Sequence, residues 1–295
     1  MPHLLIYFFA LICLSTASSW AKLNQMPAEV LGFWRLSIAA LILITYQLVY
    51  KRQKLLQNSK SMRWIIASGF FFFLHLWTYK YAAKHTLVSL MMILFATNPI
   101  WTAVFNIYAF KEKITFRMWT SFFIAFIGIY LLVQDQLKFS SENSLGNLSA
   151  LVTAIFYAIY LITGKKARMN ISNLNFACLQ YAFCAILFLI ASVFTKSELI
   201  GDYSQISWVS VLGLVLIPTL LGHFLFTHIM SHMNLAVMTC GKLIEPVLAT
   251  IMAYFLFQEK LTAMTAVAFV FTSIAILNLF WPQIKFAFKN NYFVK

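Results

Sequence analysis

Charged side chains are scarce in this sequence of 295 residues. Only 10% of the residues are Asp, Glu, Lys or Arg, whereas 62% are hydrophobic and the mean hydropathy is +0.81. A soluble domain would have about a quarter of its residues charged. The composition therefore excludes a soluble globular domain of this size and is typical of a helical protein with several membrane spans.

Several motifs that would indicate enzyme or metal chemistry are also missing. The four cysteines form no C-x-x-C pair, so neither a zinc site nor a disulfide framework is indicated. The sequence contains no Walker A, H-E-x-x-H or G-x-S-x-G motif, which argues against ATP-driven pumping and against the common hydrolases. We therefore expect that the protein is not an enzyme and that it binds neither a cofactor nor a metal ion.

What the sequence has instead is a series of long apolar runs, which predict an all-α membrane protein with ten transmembrane helices. The first run also resembles a signal peptide, but no Lys or Arg precedes it, so we expect a retained first helix. The runs cover roughly residues 4–20, 30–50, 63–83, 86–110, 117–134, 146–163, 174–195, 206–227, 234–257 and 263–281.

The positions of Lys and Arg between these runs predict the orientation of the chain. One set of gaps, around residues 51–63, 111–117 and 165–168 and after residue 282, holds 14 basic residues, and the opposite set holds six. Basic loops stay in the cytoplasm, so we expect a multi-pass plasma (bacterial inner) membrane protein with both termini cytoplasmic. Because the excess of basic residues lies in these short gaps, the net charge of +14 does not indicate nucleic acid binding.

The sequence repeats itself at an offset of 147 residues. Pro99 is matched by Pro246, and Phe-Lys-Glu-Lys-Ile-Thr at 110–115 recurs as Phe-Gln-Glu-Lys-Leu-Thr at 257–262. Each repeat contains five helices, and an odd number means that the second unit enters the membrane from the opposite side. We therefore expect two inverted five-helix units, residues 1–138 and 139–295.

Two of the predicted helices are interrupted at matching places, by Asn98-Pro99 and by Glu245-Pro246, with Lys242 close to the second. A charge at the centre of a bilayer costs roughly 2.5–3.5 kcal/mol. A proline frees a backbone carbonyl that lipid cannot satisfy. These segments must face protein or water, and paired interruptions of this kind indicate a solute site near the midplane.

Together these features resemble the drug/metabolite transporter superfamily, in its ten-helix EamA-type branch, over essentially the whole chain. The resemblance implies a central cavity between two inverted halves, and transport of small metabolites, amino acids or drugs by alternating access. It is carried by Arg35 in Phe-Trp-Arg-Leu-Ser-Ile-Ala-Ala, Asn98-Pro99, Glu245-Pro246 and the two repeated phrases at 110–115 and 257–262.

Three polar residues are candidates for substrate binding: Asn98, Lys242 and Glu245. Lys242 and Glu245 together would suit the two ends of an amino acid, but at a spacing of three residues they could equally pair with each other. Asn98 could bond to solute or cap the backbone that the proline frees. Four aromatic candidates could stack on a planar solute or simply pack: Trp77, Tyr81, Trp101 and Tyr157.

Candidates for coupling or gating are Glu245, Arg35, His75 and His223. Glu245 or a histidine could carry a proton, and proton coupling remains an alternative to movement down the gradient of the solute itself. Arg35 could bind an anionic group, act in a gate, or join helices through their carbonyl groups.

We therefore expect a secondary transporter of small metabolites, led by amino acids or their derivatives, with a site bounded by helices 3, 4, 8 and 9. Its partners would be the solute and the lipid bilayer. One rival is a membrane enzyme acting on a lipid-linked substrate, with Glu245 or a histidine as base. The other is a scaffold or receptor that transports nothing, which would have a filled core.

Overall fold

The computed structural model describes residues 2–51, 59–85, 91, 94–111, 113–134, 144–257 and 263–291, and every regular element among them is helical. We number ten helices in chain order: α1 (Pro2–Ser15 and Ala17–Leu23), α2 (Ala28–Thr45, continued as a π-helix over Tyr46–Lys51), α3 (Ser59–His85), α4 (ending with Asn98–Phe110), α5 (Phe116–Val133), α6 (Ser144–Arg168), α7 (Asn173–Thr195), α8 (Gln205–Leu214, a π-helix over Val215–His223, and Phe224–Ile229), α9 (Leu235–Gly241, a 3-10 turn over Lys242–Ile244, and Glu245–Phe257) and α10 (Ala263–Asn291).

The all-helical fold that the apolar runs predict is confirmed for the described part of the chain. Five of its helices are long and apolar enough to cross a membrane by length and composition: His3–Leu23, Ala28–Lys51, Ser144–Arg168, Asn173–Thr195 and Gln205–Ile229. Phe116–Leu131 and Ala266–Pro282 are shorter apolar helices.

The packing of the helices follows the repeat. The most extensive interfaces join α3 to α6, α5 to α10 and α2 to α7, and α1 packs along α8. If each helix corresponds to the one five places later, the α2–α7 and α5–α10 pairs map onto themselves and the α3–α6 pair maps onto α8–α1. Two related five-helix halves produce this pattern of pairs.

Both predicted interruptions are visible in the backbone. The second parts of α4 and α9, Asn98–Phe110 and Glu245–Phe257, each have 13 residues and carry a proline at their second position. Proline is tolerated in the first turn because that amide has no helical partner in any case. In α9 the 3-10 turn Lys242–Ile244 precedes the break.

α1 kinks at Thr16, within the run of small polar residues that follows its apolar part. The Ser15 Oγ donates to the Leu11 carbonyl and the Thr16 Oγ1 to the Cys13 carbonyl, both at 2.8 Å. Hydroxyls that bond back to the preceding turn in this way often bend helices. Before the kink α1 lies in the core, where Tyr7 is completely buried.

One predicted boundary was wrong. The sequence analysis ended the tenth helix at about residue 281, with a tail after Pro282, but α10 continues through Pro282 to Asn291. A proline removes one hydrogen bond from a helix, and here that loss does not end the helix.

Candidate functional site

A central cavity of about 120 Å³ lies between the two halves. A single water needs only about 10–15 Å³ of such space, so the cavity has room for a small polar molecule. Helices 3, 4, 8 and 9 contribute to its wall, and so do α1, through Ser15 and Ser18, and α2, through Gly32 and Arg35. The sequence analysis named Arg35 as a candidate but no residue of α1.

The cavity extends from the middle of the bundle toward one end, which we call the Asn24 end. The wall there includes the half-buried residues Ala17, Ser18 and Ala21. Lys80 belongs to the same rim, where its Nζ donates to the Ala21 and Asn24 carbonyls, each at 3.2 Å. Most residues of the deeper wall are themselves buried.

The structure brings the two proline breaks to this one cavity. Asn98, Glu245 and Pro246 all contribute to its wall. Asn98 is 2% exposed, and its Nδ2 donates to the Phe95 carbonyl at 3.0 Å. Its Oδ1 is buried and accepts no hydrogen bond from the described residues.

Lys242 and Glu245 pair with each other within the cavity wall. The Lys242 Nζ lies 2.9 Å from the Glu245 Oε1, with the side chains 5% and 17% exposed. The contact is an ion pair by distance, although its angle gives that oxygen no well-directed hydrogen bond. The ammonium also lies 4.7 Å from the centre of the Tyr157 ring and 5.3 Å from that of Phe226. The charge of Lys242 is therefore compensated inside the protein.

Arg35 is the other deep cation of the wall, and it is only 7% exposed. Its Nε donates to the Thr219 Oγ1 at 2.7 Å, and that hydroxyl in turn donates to the Leu214 carbonyl at 2.7 Å. Its Nη2 finds no acceptor among the described residues. Thr219 lies in the π-helix of α8, so the hydrogen bond from Arg35 joins α2 to α8.

Both candidate histidines and Tyr157 also contribute to the wall. The His75 Nδ1 lies 3.3 Å from the Thr153 carbonyl, and its ring packs 4.9 Å from that of Tyr157. The His223 Nδ1 and the Tyr157 hydroxyl have no hydrogen-bond partner among the described residues. Two buried polar atoms of the wall therefore make no hydrogen bond with the described residues, which is unusual for buried polar groups.

The other three aromatic candidates lie elsewhere. Trp77 packs edge-on against Phe73, with the ring centres 5.2 Å apart. Tyr81 is 37% exposed and stacks on His85 at 4.2 Å. The Trp101 Nε1 donates to the Thr97 Oγ1 at 3.2 Å. None of Trp77, Tyr81 and Trp101 contributes to the wall of the central cavity.

Sequence reasoning missed two kinds of wall residue. Ser15 and Ser18 stand in the run Ser-Thr-Ala-Ser-Ser, and a cluster of small polar residues late in an apolar helix could have indicated a wet face. Lys80 was counted only as an orientation signal, yet it lies inside the predicted helix 63–83 rather than beyond its end.

Comparison with protein families finds the same repeat. The model of the family described as "EamA-like transporter family" matches this chain twice, over residues 2–134 and 144–281. Between them the two matches cover most of the chain, and each spans five helices.

Individual relatives carry matching names. A Clostridium kluyveri protein named as an uncharacterized transporter is 24% identical over 68% of this chain and 66%, just under two thirds, of its own length. A Buchnera aphidicola protein of the same description is 21% identical over 88% of both chains. The Bacillus subtilis protein YxxF, also named as a transporter, is 20% identical over 90% of this chain and 86% of its own.

The fold also matches a solved structure. A crystal structure of another protein superimposes with a TM-score of 0.79, covering 94% of this chain and 96% of that one at 17% identity. At this level of identity the likeness concerns the fold alone.

Proposed function

This chain belongs to the EamA-like transporter family, and we propose that it is a secondary transporter of amino acids or their derivatives. It is a multi-pass integral membrane protein of a transporter family, not of an enzyme family. The names of its relatives indicate no solute, so the choice of solute rests on the site.

The observation that carries the proposal is the meeting of both signs of charge in one small cavity. The wall offers Arg35 and Lys242 as cations, and it offers Glu245 and the unpartnered Asn98 Oδ1 as acceptors. An amino acid has a carboxylate for the first group and an ammonium for the second. The volume of about 120 Å³ favours a solute of this size over a large drug.

Alternating access is supported by the difference between the two ends of the bundle. The central cavity extends toward the Asn24 end. Below it, toward the turn between α8 and α9, the Tyr7 hydroxyl donates to the Met238 carbonyl at 2.6 Å, and the Lys165 Nζ donates to the Met233 carbonyl at 3.3 Å. We propose that rocking of the units 1–138 and 139–295 breaks the contact between Tyr7 and Met238, which joins the two units, and opens the cavity there.

The orientation that we propose rests on the distribution of basic residues between the helices. We propose that the Asn24 end faces away from the cytoplasm, that both termini are cytoplasmic and that the membrane is the plasma (bacterial inner) membrane. In that arrangement the structure has its cavity turned outward. The energy source would be a proton gradient or the gradient of the solute itself.

Reconstitution of the purified protein in liposomes tests the transport function. We expect saturable counterflow of at least one radiolabelled L-amino acid, absent from protein-free liposomes. The measurement is made with and without a pH gradient to identify the driving force. Folded, monodisperse protein that moves no solute under either condition would refute the proposal.

The contribution of Glu245 is tested by Glu245→Gln, which removes a carboxylate from the cavity wall. We expect transport to fall by about tenfold or more, the loss that follows when a charged hydrogen-bonding partner is removed. The matched control is Glu198→Gln, the same chemical change at an exposed residue between α7 and α8. Unchanged transport and unchanged pH dependence in Glu245→Gln would leave Glu245 with a structural role only.

A further inference from the structure

We infer that Arg35 of α2, rather than Lys242, binds the carboxylate of the solute, and that a carboxylate is therefore required for recognition. The inference rests on the proposed transport function and assigns a specificity-determining residue within it.

Lys242 is poorly placed to bind the carboxylate of the solute because Glu245 already compensates its charge. Glu245 lies 2.9 Å from its ammonium, and the rings of Tyr157 and Phe226 lie within cation–π distance. A solute carboxylate at Lys242 would have to share the cation with Glu245, and two carboxylates at one cation repel each other.

Arg35 has the opposite surroundings. Its guanidinium remains charged under all ordinary conditions, and no acidic side chain among the described residues forms an ion pair with it. Thr219 satisfies its Nε, but its Nη2 has no acceptor in the part of the chain that the structure describes. Buried charges are normally paired, so a buried guanidinium without a counter-charge in a cavity wall indicates that the missing anion belongs to a ligand.

Two further groups of the same wall extend this site. The Tyr157 hydroxyl and the His223 Nδ1 are buried and without a partner among the described residues. A carboxylate has two oxygens and about four acceptor positions, so it can accept hydrogen bonds from more than one donor of this wall. An amide offers a single oxygen and no charge.

The charge balance favours a carboxylate over a phosphate. With Lys242 neutralised by Glu245, Arg35 is the one deep cation of the described wall that lacks a counter-charge, since Lys80 lies at the rim and donates to two carbonyls. The carboxylate group of the solute, with its charge of −1, matches this single cation. A phosphate monoester group, at about −1.5 to −2, carries more negative charge than Arg35 can balance.

Ligand-induced thermal shift of the purified full-length protein tests this requirement without any need for flux. The probes are a mixture of the twenty L-amino acids, a mixture of their amides and a mixture of sugar phosphates. We expect the melting temperature to rise with the amino acids only. An equal rise with the amides, a rise with the phosphates alone, or no rise with any mixture would overturn the inference.

Variants then locate the carboxylate. For the amino acid that binds best, we expect Arg35→Gln to weaken affinity about tenfold to a hundredfold. Arg35→Lys should recover part of the loss, because it restores the charge without the planar fork. Lys22→Gln removes the same charge from an exposed residue at the end of α1 and should change affinity by less than about fivefold. Equal losses in Arg35→Gln and Lys22→Gln would contradict the assignment.

The inference and the proposed function can fail separately. Carboxylate-dependent binding without flux in liposomes would refute transport and leave the role of Arg35 intact. Flux of a solute whose binding is independent of its carboxylate would refute the role of Arg35 alone.

Discussion

At the scale of single residues, the Lys242–Glu245 pair determines which substitutions at the break in α9 destabilise the protein. Both side chains are largely buried, and their charged atoms are 2.9 Å apart. Removal of one partner from a buried pair costs about 3–5 kcal/mol, because the other charge is left without compensation, whereas replacement of both is often neutral. The effects of substituting Lys242 and Glu245 on the stability of the protein are therefore not independent of each other.

We predict that Lys242→Met lowers the melting temperature of the purified protein markedly, since it leaves the Glu245 carboxylate in the wall without its partner. The double variant Lys242→Met/Glu245→Gln should regain most of the loss. Thermal unfolding of the wild type, both single variants and the double variant in one detergent completes the cycle. A double variant as unstable as Lys242→Met would show that the two residues act independently.

Most of the polar wall residues could be named from the sequence, and most of the aromatic ones could not. Arg35, Asn98 and Glu245 stand out because a polar group in an apolar run has few favourable surroundings other than a cavity or a partner. An aromatic ring is stable in the core, in lipid and in a cavity alike. The sequence therefore does not distinguish Tyr157, which lines the cavity, from Trp101, which does not.

At the scale of helices, α1 and α9 approach each other closely at Gly241. A Cβ atom placed on Gly241 would lie 2.1 Å from the Tyr7 hydroxyl oxygen, and that hydroxyl donates to the Met238 carbonyl at 2.6 Å. The absence of a side chain at residue 241 therefore allows the contact that closes this end of the bundle.

We predict that Gly241→Ala destabilises the protein by about 1–3 kcal/mol, the usual cost of overpacking a well-packed site. Tyr7→Phe should relieve part of the clash when it is combined with Gly241→Ala. The matched control is Gly201→Ala, where the nearest atom to a new Cβ is the Glu198 Oε2 at 3.3 Å. A Gly241→Ala variant that melts with the wild type, in the same detergent, would show that α1 moves aside easily.

The proline breaks of α4 and α9 could be located from the sequence, but the neighbours of α1 and α8 could not. A proline in an apolar run has a local backbone consequence, and the repeat at an offset of 147 residues relates the two breaks. The contribution of Ser18 to the cavity and the bond between Arg35 and Thr219 depend instead on which helices pack together, and hydropathy carries no information on that.

At the scale of the whole molecule, the repeat and the asymmetry of the cavity must be considered together. Two equivalent halves would produce equivalent ends, yet the central cavity extends toward the Asn24 end, whereas Tyr7 bonds to Met238 of the second half at the other end. In the alternating-access mechanism that we propose, the halves exchange roles in a second arrangement, and this structure is one of the two states.

Labelling by a membrane-impermeant maleimide tests the orientation of that state. In a background with the four buried cysteines replaced by alanine, we predict that Ser18→Cys, on the wall near the Asn24 end, reacts in intact cells. Met169→Cys, which is 68% exposed just beyond α6, should react only after permeabilisation, because the neighbouring basic residues predict a cytoplasmic position for that turn. A transported solute should slow the reaction at Ser18→Cys and leave that at Met169→Cys unchanged. The opposite pattern of labelling would show that the orientation is the reverse of the one proposed and that the cavity faces the cytoplasm.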